Sequence, residues 1–287
     1  MEAGQPEDIL AAVDGWLRSH GLPAELHQAA RGAARWLQHC APADGSRHSK
    51  IMVCKDLTLW LSSIDDHDCN KSGQEQFFAD CLRILDRGPG GRPDEPSGSL
   101  RAYGEIIRDV QAISGDTSRY LSGRKRYIHC IAARNRRDHR FSFDEYLGLR
   151  RTTIFVDQWM ELFAILEGFQ LTEEDRLSPG LQRAAESAID SSVFLNEVYS
   201  VDRDKGFVPN LVHLRQRERG CSRGEAVAEV NQMYDDAVRR YAAAAQDLRS
   251  RPLPDRVLRY LDYLDHTIKG SRSAYRDNQS RYAPPLL

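Results

Sequence analysis

Helical spacing runs through nearly all of this 287-residue chain, and no stretch sustains the apolar–polar alternation of a strand. Apolar residues recurring every three or four positions predict helices from Glu7 to Ser19, Ala24 to His39, Ser49 to Ile64 and Gln74 to Leu85. After a break at Gly88-Pro89-Gly90-Gly91-Arg92-Pro93 through Ser97-Gly98, the pattern resumes from Leu100 to Ser114 and from Thr117 to Asn135. Phe143 to Gly168 is apolar over most of its length and reads as one buried segment. Pro179 to Asp204, Ser222 to Leu248 and Pro254 to Asp277 complete the set. No repeat and no linker rich in Pro, Gly or Ser divides the chain. The expectation is an all-α fold in which residues 1–287 form a single domain, a bundle of about ten to twelve helices around an apolar cavity.

Composition excludes several classes of function. Forty Lys and Arg against 42 Asp and Glu give a net charge of −2, so nothing draws the chain to nucleic acid or to an anionic membrane. No apolar run is long enough to span a bilayer, and the polar start Met1-Glu2-Ala3-Gly4-Gln5 lacks a signal peptide's apolar core. The six cysteines, at 40, 54, 69, 81, 130 and 221, are scattered and read as reduced thiols. A cytoplasmic location is expected.

Within the helical pattern stand two sets of hard oxygen ligands beside apolar sequence. The first is Asp65-Asp66-His67-Asp68, after Leu57-Thr58-Leu59-Trp60-Leu61. Asp65 and Asp68 share a helix face by their spacing, and Asp66 points off it. The second is Asn196, Ser200 and Asp204, after Val193-Phe194-Leu195. Steps of four place these three on one stripe spanning about 12 Å. An amide oxygen, a hydroxyl and a carboxylate can chelate one Mg²⁺, and their low charge leaves room for a phosphate to complete the shell. Polar helix faces and acidic runs are ordinarily solvated surface. Asn196 and Ser200 are poor helix formers beside Phe194 and Leu195, which makes a purely solvated face less natural. Zinc at Asp66-His67-Asp68-Cys69 lacks a second close Cys or His pair. The Arg124-Lys125-Arg126 cluster reads most simply as a solvated helix face, and one of Arg150 and Arg151 as an ordinary surface arginine.

At these residues the chain resembles the class I terpene synthases, and among them the bacterial terpene cyclases of the diterpene-type branch. The Asp-rich motif is similar to Asp65-Asp66-His67-Asp68 in a shortened form. The Asn-Asp-x-x-Ser-x-x-x-Glu motif is similar to Asn196-Glu197-Val198-Tyr199-Ser200-Val201-Asp202-Arg203-Asp204, with Glu197 for the usual Asp and Asp204 for the usual Glu. The resemblance assigns Arg150, 46 positions before Asn196, as the diphosphate-sensing arginine, with Thr153 as linker and Ile154 as effector at a helix break. Arg203 takes a diphosphate-contacting position, and Arg281-Tyr282 resembles the C-terminal Arg-Tyr pair of bacterial members.

What the resemblance implies follows as expectations. Three Mg²⁺ ions, held by Asp65, Asp66, Asp68, Asn196, Ser200 and Asp204, grip the diphosphate of a linear prenyl substrate with Arg150, Arg203, Arg281 and Tyr282. Ionisation and cyclisation follow in a dry pocket lined by Trp60, Leu61, Ile64, Phe155, Trp159 and Phe194, whose aromatic faces stabilise positive charge without acting as nucleophiles. Each of those aromatics taken singly is an ordinary core residue. Ile154 and Trp159 favour geranylgeranyl diphosphate over farnesyl diphosphate, and the resemblance allows a homodimer. Two other readings remain: an all-α metal phosphohydrolase using His67 and Asp68, and a silent binder of prenyl diphosphate supported by the Glu197 and Asp204 departures. A chain-elongating prenyltransferase carries two Asp-rich motifs, and the second motif here is of another type.

Overall fold

The computed structural model describes residues 6–60, 74–88, 96–135, 140–204 and 209–278. All regular structure among them is helical, thirteen helices in chain order. The chain divides into two compact units, Met1–Ala132 with Gln158–Gly168, and Ala133–Asp157 with Phe169–Leu287.

The first unit is built on α1 (Pro6–Ser19), α2 (Ala24–Cys40), α3 (Arg47–Trp60), α4 (Gln74–Arg87), α5 (Gly98–Ile113) and α6 (Ser118–Arg134, to Ala132). Helix α1 buries Ile9, Val13, Trp16 and Leu17, one stripe at spacings of three and four. Helix α2 buries Ala30, Ala33 and Ala34 between Leu26 and Leu37, and such small side chains let α3 approach closely. Helix α3 is buried on every side over its last turns, from Met52 to Cys54 and from Asp56 to Trp60, and packs against α1, α2 and α5. Gly98 opens α5 where a Cβ would lie 2.4 Å from the backbone oxygen of His20, so close backbone approach fixes that residue. Ser97 caps the helix by accepting from the Leu100 N–H at 3.3 Å.

The second unit is organised around α10 (Pro179–Ser200), which packs against α7 (Phe143–Thr153), α9 (Glu173–Leu177), α11 (Leu211–Arg219), α12 (Arg223–Arg249) and α13 (Asp255–Asp277). Pro179 starts α10 at a position where a missing N–H costs nothing. Ser142 and Ser222 close capping boxes with Glu145 and Glu225 at the starts of α7 and α12. From Asp190 to Val198 every residue of α10 is buried, so this is a core helix and not a surface one.

Two readings are corrected and one expectation is met. The segment from Phe143 to Gly168 is divided at the break expected beside Thr153 and Ile154: α7 stops at Thr153 and α8 (Val156–Glu167) begins after it. The β-branched run Thr152-Thr153-Ile154 weakens the helix there, and Phe155 turns the chain with φ 75°, a left-handed conformation strained for a bulky residue. Two helices went unread, α9 and α11. Both are short, but their signals stand in the sequence: Thr172 boxed with Asp175 for α9, and Asn210 as N-cap with Gly220 in the left-handed C-terminal position for α11. Of the Arg124-Lys125-Arg126 cluster, Arg126 is exposed and Lys125 partly so, as a solvated face requires, but Arg124 is not. Arg124 is fully buried in the first unit, ion-paired to Asp56 and bonded to the Tyr120 hydroxyl at 2.9 Å, because its partner on α3 stands 68 residues away in sequence. Burial pushes the Asp56 carboxyl up and the guanidinium opposes it. The arginine, though equally buried, is held protonated by that carboxylate.

Candidate active site

The candidate site of the second unit grows from the C-terminal end of α10. Asn196 and Ser200 lie on the helix one turn apart, and the helix ends at Ser200. The next four residues form a turn, but the Asp204 N–H still donates to the Ser200 carbonyl at 2.9 Å, so the four-residue register carries past the helix end. The Ser200 hydroxyl then donates to Asp204 Oδ2 at 2.6 Å. Asn196 is 9% exposed, Ser200 not at all and Asp204 7%, so the polar stripe is an interior feature. Arg203, one-third exposed, bonds Asp204 Oδ1 through its Nε at 2.9 Å.

Arg150 reaches this stripe from α7. Its Nε donates to Glu197 Oε1 at 2.6 Å, Nη2 to Asn196 Oδ1 at 2.7 Å and Nη1 to Thr153 Oγ1 at 3.1 Å. The guanidinium is therefore held by a fork of contacts that a lysine cannot reproduce. Glu197 Oε2 accepts the Leu211 N–H at the start of α11, at 2.8 Å. Burial pushes the Glu197 carboxyl up, and the Arg150 charge opposes that push. Glu197, one of the two departures from the motif, is thus the pivot joining α7, α10 and α11.

Two more residues complete the network, and the sequence reading missed both. Asn210 caps α11 by accepting from Val212 N–H at 2.9 Å. Its Nδ2 donates to the Glu197 carbonyl at 2.9 Å and reaches Ser200 Oγ and Asp204 Oδ2 at 3.3 Å each. Its N-cap position was legible; its side-chain reach was not. Tyr275 of α13 accepts from Asn196 Nδ2 at 2.8 Å, across 79 residues of sequence, and no local pattern signals it.

The arrangement brings together Arg150, Thr153, Asn196, Ser200, Arg203 and Asp204. Ile154, half-buried, ends α7 with its N–H on the Arg150 carbonyl at 2.8 Å, and Phe155 and Phe194 are buried in the same unit. Trp60 and Trp159 belong to the first unit. Trp60 meets Tyr103 and Tyr127 edge-on at centroid distances of 5.1 and 5.5 Å, with Arg124 over its face at 5.2 Å. Trp159 is 4% exposed, and its indole N–H has no partner among the described residues. Leu61, Ile64, Asp65, Asp66, Asp68, Arg281 and Tyr282 lie outside the described residues.

Asn196 Oδ1, Ser200 Oγ and the Asp204 carboxylate suit Mg²⁺ by donor type, since all are hard oxygens and one is anionic. An amide oxygen has two lone pairs, so the Arg150 contact leaves Asn196 one to offer. Among the described residues no three His, Cys, Asp or Glu side chains converge as a metal cluster.

Comparison with known proteins points the same way. The family model described as terpene synthase family 2, C-terminal metal binding, matches residues 56–240. The chain is 25% identical to a (12E)-labda-8(17),12,14-triene synthase of Streptomyces anulatus, over 96% of this chain and 89% of that protein. It is 27% identical to a 4-epi-cubebol synthase of Streptosporangium roseum that cyclises (2E,6E)-farnesyl diphosphate, over 83% of this chain and 74% of the other. The crystal structure of 2-methylisoborneol synthase from Streptomyces coelicolor A3(2), in complex with Mg²⁺ and 2-fluoroneryl diphosphate, superposes with a TM-score of 0.84 at 18% identity, over all of this chain and 96% of that one. At that identity the likeness establishes the shared all-α fold.

Proposed function

The chain belongs to terpene synthase family 2, and on that premise we propose that it is a Mg²⁺-dependent terpene cyclase. Its substrate is a linear prenyl diphosphate, geranylgeranyl diphosphate first and farnesyl diphosphate next. It closes the carbocation to a terpene hydrocarbon or alcohol and releases diphosphate. The observation that carries this reading is the contact between Arg150 Nη2 and Asn196 Oδ1 at 2.7 Å. It joins the diphosphate-sensing position to the second metal motif across 46 residues of sequence.

Bound Mg²⁺ supplies the charge that offsets the diphosphate as its C–O bond breaks. Asn196, Ser200 and Asp204 are the residues of the second motif that would hold it, and Asp65, Asp66 and Asp68 those of the first. Arg150 adds a fixed positive charge, since a guanidinium does not deprotonate, and Glu197 keeps it aimed along α10. Arg203 adds a second cation beside Asp204, and Arg281 and Tyr282 stand to add a third and a hydroxyl. Phe155 and Phe194 present apolar faces with no nucleophile, which suits a cation that water would quench. Ile154 and Trp159 support the longer substrate.

Incubation with each prenyl diphosphate plus Mg²⁺, with gas chromatography of the extract, tests the reading. A terpene hydrocarbon or alcohol is expected. Absence of product from both substrates, with tight binding of either, points instead to a silent binder. Release of inorganic phosphate from nucleotides without hydrocarbon points to a phosphohydrolase.

A further inference from the structure

From its contact with Asn196 we infer that Tyr275 is a positioning residue for the metal site, its hydroxyl anchoring the Nδ2 end of the Asn196 amide so that the oxygen end, set by Arg150, stays in place. The inference rests on the reading of Asn196 as a metal ligand. An asparagine amide is nearly symmetric in shape, and only its partners decide which end is oxygen. Arg150 has donors and no acceptor, so the atom 2.7 Å from its Nη2 must be Oδ1. That leaves Nδ2 facing the Tyr275 hydroxyl at 2.8 Å, where the oxygen of the phenol accepts. A flipped amide would set N–H against the guanidinium and forfeit that bond, so Arg150 decides the orientation, while the phenol takes up the Nδ2 end that remains.

The tyrosine is itself held. It is 2% exposed, and its ring stacks on Tyr199 of α10 at a centroid distance of 4.9 Å and an interplanar angle of 16°. Tyr199 stands three residues after Asn196 on the same helix, so the ring that anchors the amide is pinned by the amide's own helix. Arg150 and Tyr275 thus grip the two ends of one side chain from α7 and α13, and a metal that uses Oδ1 meets a preset ligand.

Tyr275→Phe keeps the ring and its stack and removes only the hydroxyl. Binding of Mg²⁺ together with inorganic diphosphate is measured by calorimetry and by the shift in thermal midpoint, with no turnover involved. The variant is expected to remain folded by circular dichroism and to bind Mg²⁺–diphosphate about 10- to 100-fold more weakly. Tyr241→Phe is the comparison. That hydroxyl is also buried and bonded, to the Leu261 carbonyl and Asp265, but away from Asn196, and its loss is expected to leave the affinity unchanged. Unchanged affinity in Tyr275→Phe, or an equal loss in Tyr241→Phe, would overturn the inference. If the wild-type protein itself shows no Mg²⁺-dependent binding of diphosphate, the metal reading of Asn196 falls first.

Discussion

Glu197 Oε1 takes the Nε–H of Arg150 at 2.6 Å in the interior of the second unit. Removing one member of such a pair leaves a buried charge uncompensated. Glu197→Ala should therefore cost about 3–5 kcal/mol of unfolding free energy. Glu197→Gln keeps a carbonyl oxygen for Arg150 and should cost less, while still weakening turnover because the arginine loses its counter-charge. Urea denaturation and steady-state assays of the two variants check the order; an alanine variant as stable as wild type would refute it.

The Asp56–Arg124 pair of the first unit allows a sharper separation of charge from packing. Asp56→Leu alone and Arg124→Met alone should each destabilise by about 3–5 kcal/mol. The double variant Asp56→Leu with Arg124→Met, apolar and of similar bulk, should recover most of that loss. A double-mutant cycle by chemical denaturation makes the comparison. Additive losses would show that each residue contributes through packing alone.

Gly98 has no room for a methyl group, since the atom it would strike is the His20 carbonyl oxygen of the backbone. Backbone cannot swing aside as a side chain does. Gly98→Ala is expected to lower stability by about 1–3 kcal/mol, despite alanine's better helix propensity. A thermal midpoint at or above that of wild type would count against the close approach.

Acid should weaken the joint between α9 and α13. Partial burial pushes the Asp175 carboxyl up, but hydrogen bonds from Arg256 and from Thr172 outweigh it and hold the group below its ordinary 3.8. Because the folded value lies below the unfolded one, the stabilisation is fully present above 3.8 and is lost as pH falls through the lower, folded value. Asp175→Asn should destabilise only slightly at neutral pH, because Arg256 is more than one-third exposed and solvent screens its charge. Denaturation midpoints of the two proteins should converge as the pH drops; a gap that widens in acid would contradict this.

Most helices were legible because each buries one face at its own period, and α10 stood out by its run of apolar residues beside Asn196. Asn196 was named from its stripe of four-residue steps and Arg150 from the family resemblance, and they meet. Arg124, Glu197 and Tyr275 show where reading along the chain fails. Arg124 looked solvated because Lys125 and Arg126 flank it, and only the distant Asp56 explains its burial. Glu197 stood out only as a departure from the motif, whereas its two oxygens tie three helices. Tyr275 is one more apolar-face residue of α13 until the fold sets its hydroxyl against an amide. In each case the deciding partner lies dozens of residues away, beyond any local period. The break after Thr153 was expected from the resemblance and not from the pattern, for periodicity records which residues are apolar and not the sign of the backbone angle at Phe155.

Asn210 begins one helix while its amide reaches back to the carboxylate of Asp204. One side chain thus does two jobs at once, and a substitution at position 210 would loosen the start of α11 and the surroundings of the acid together.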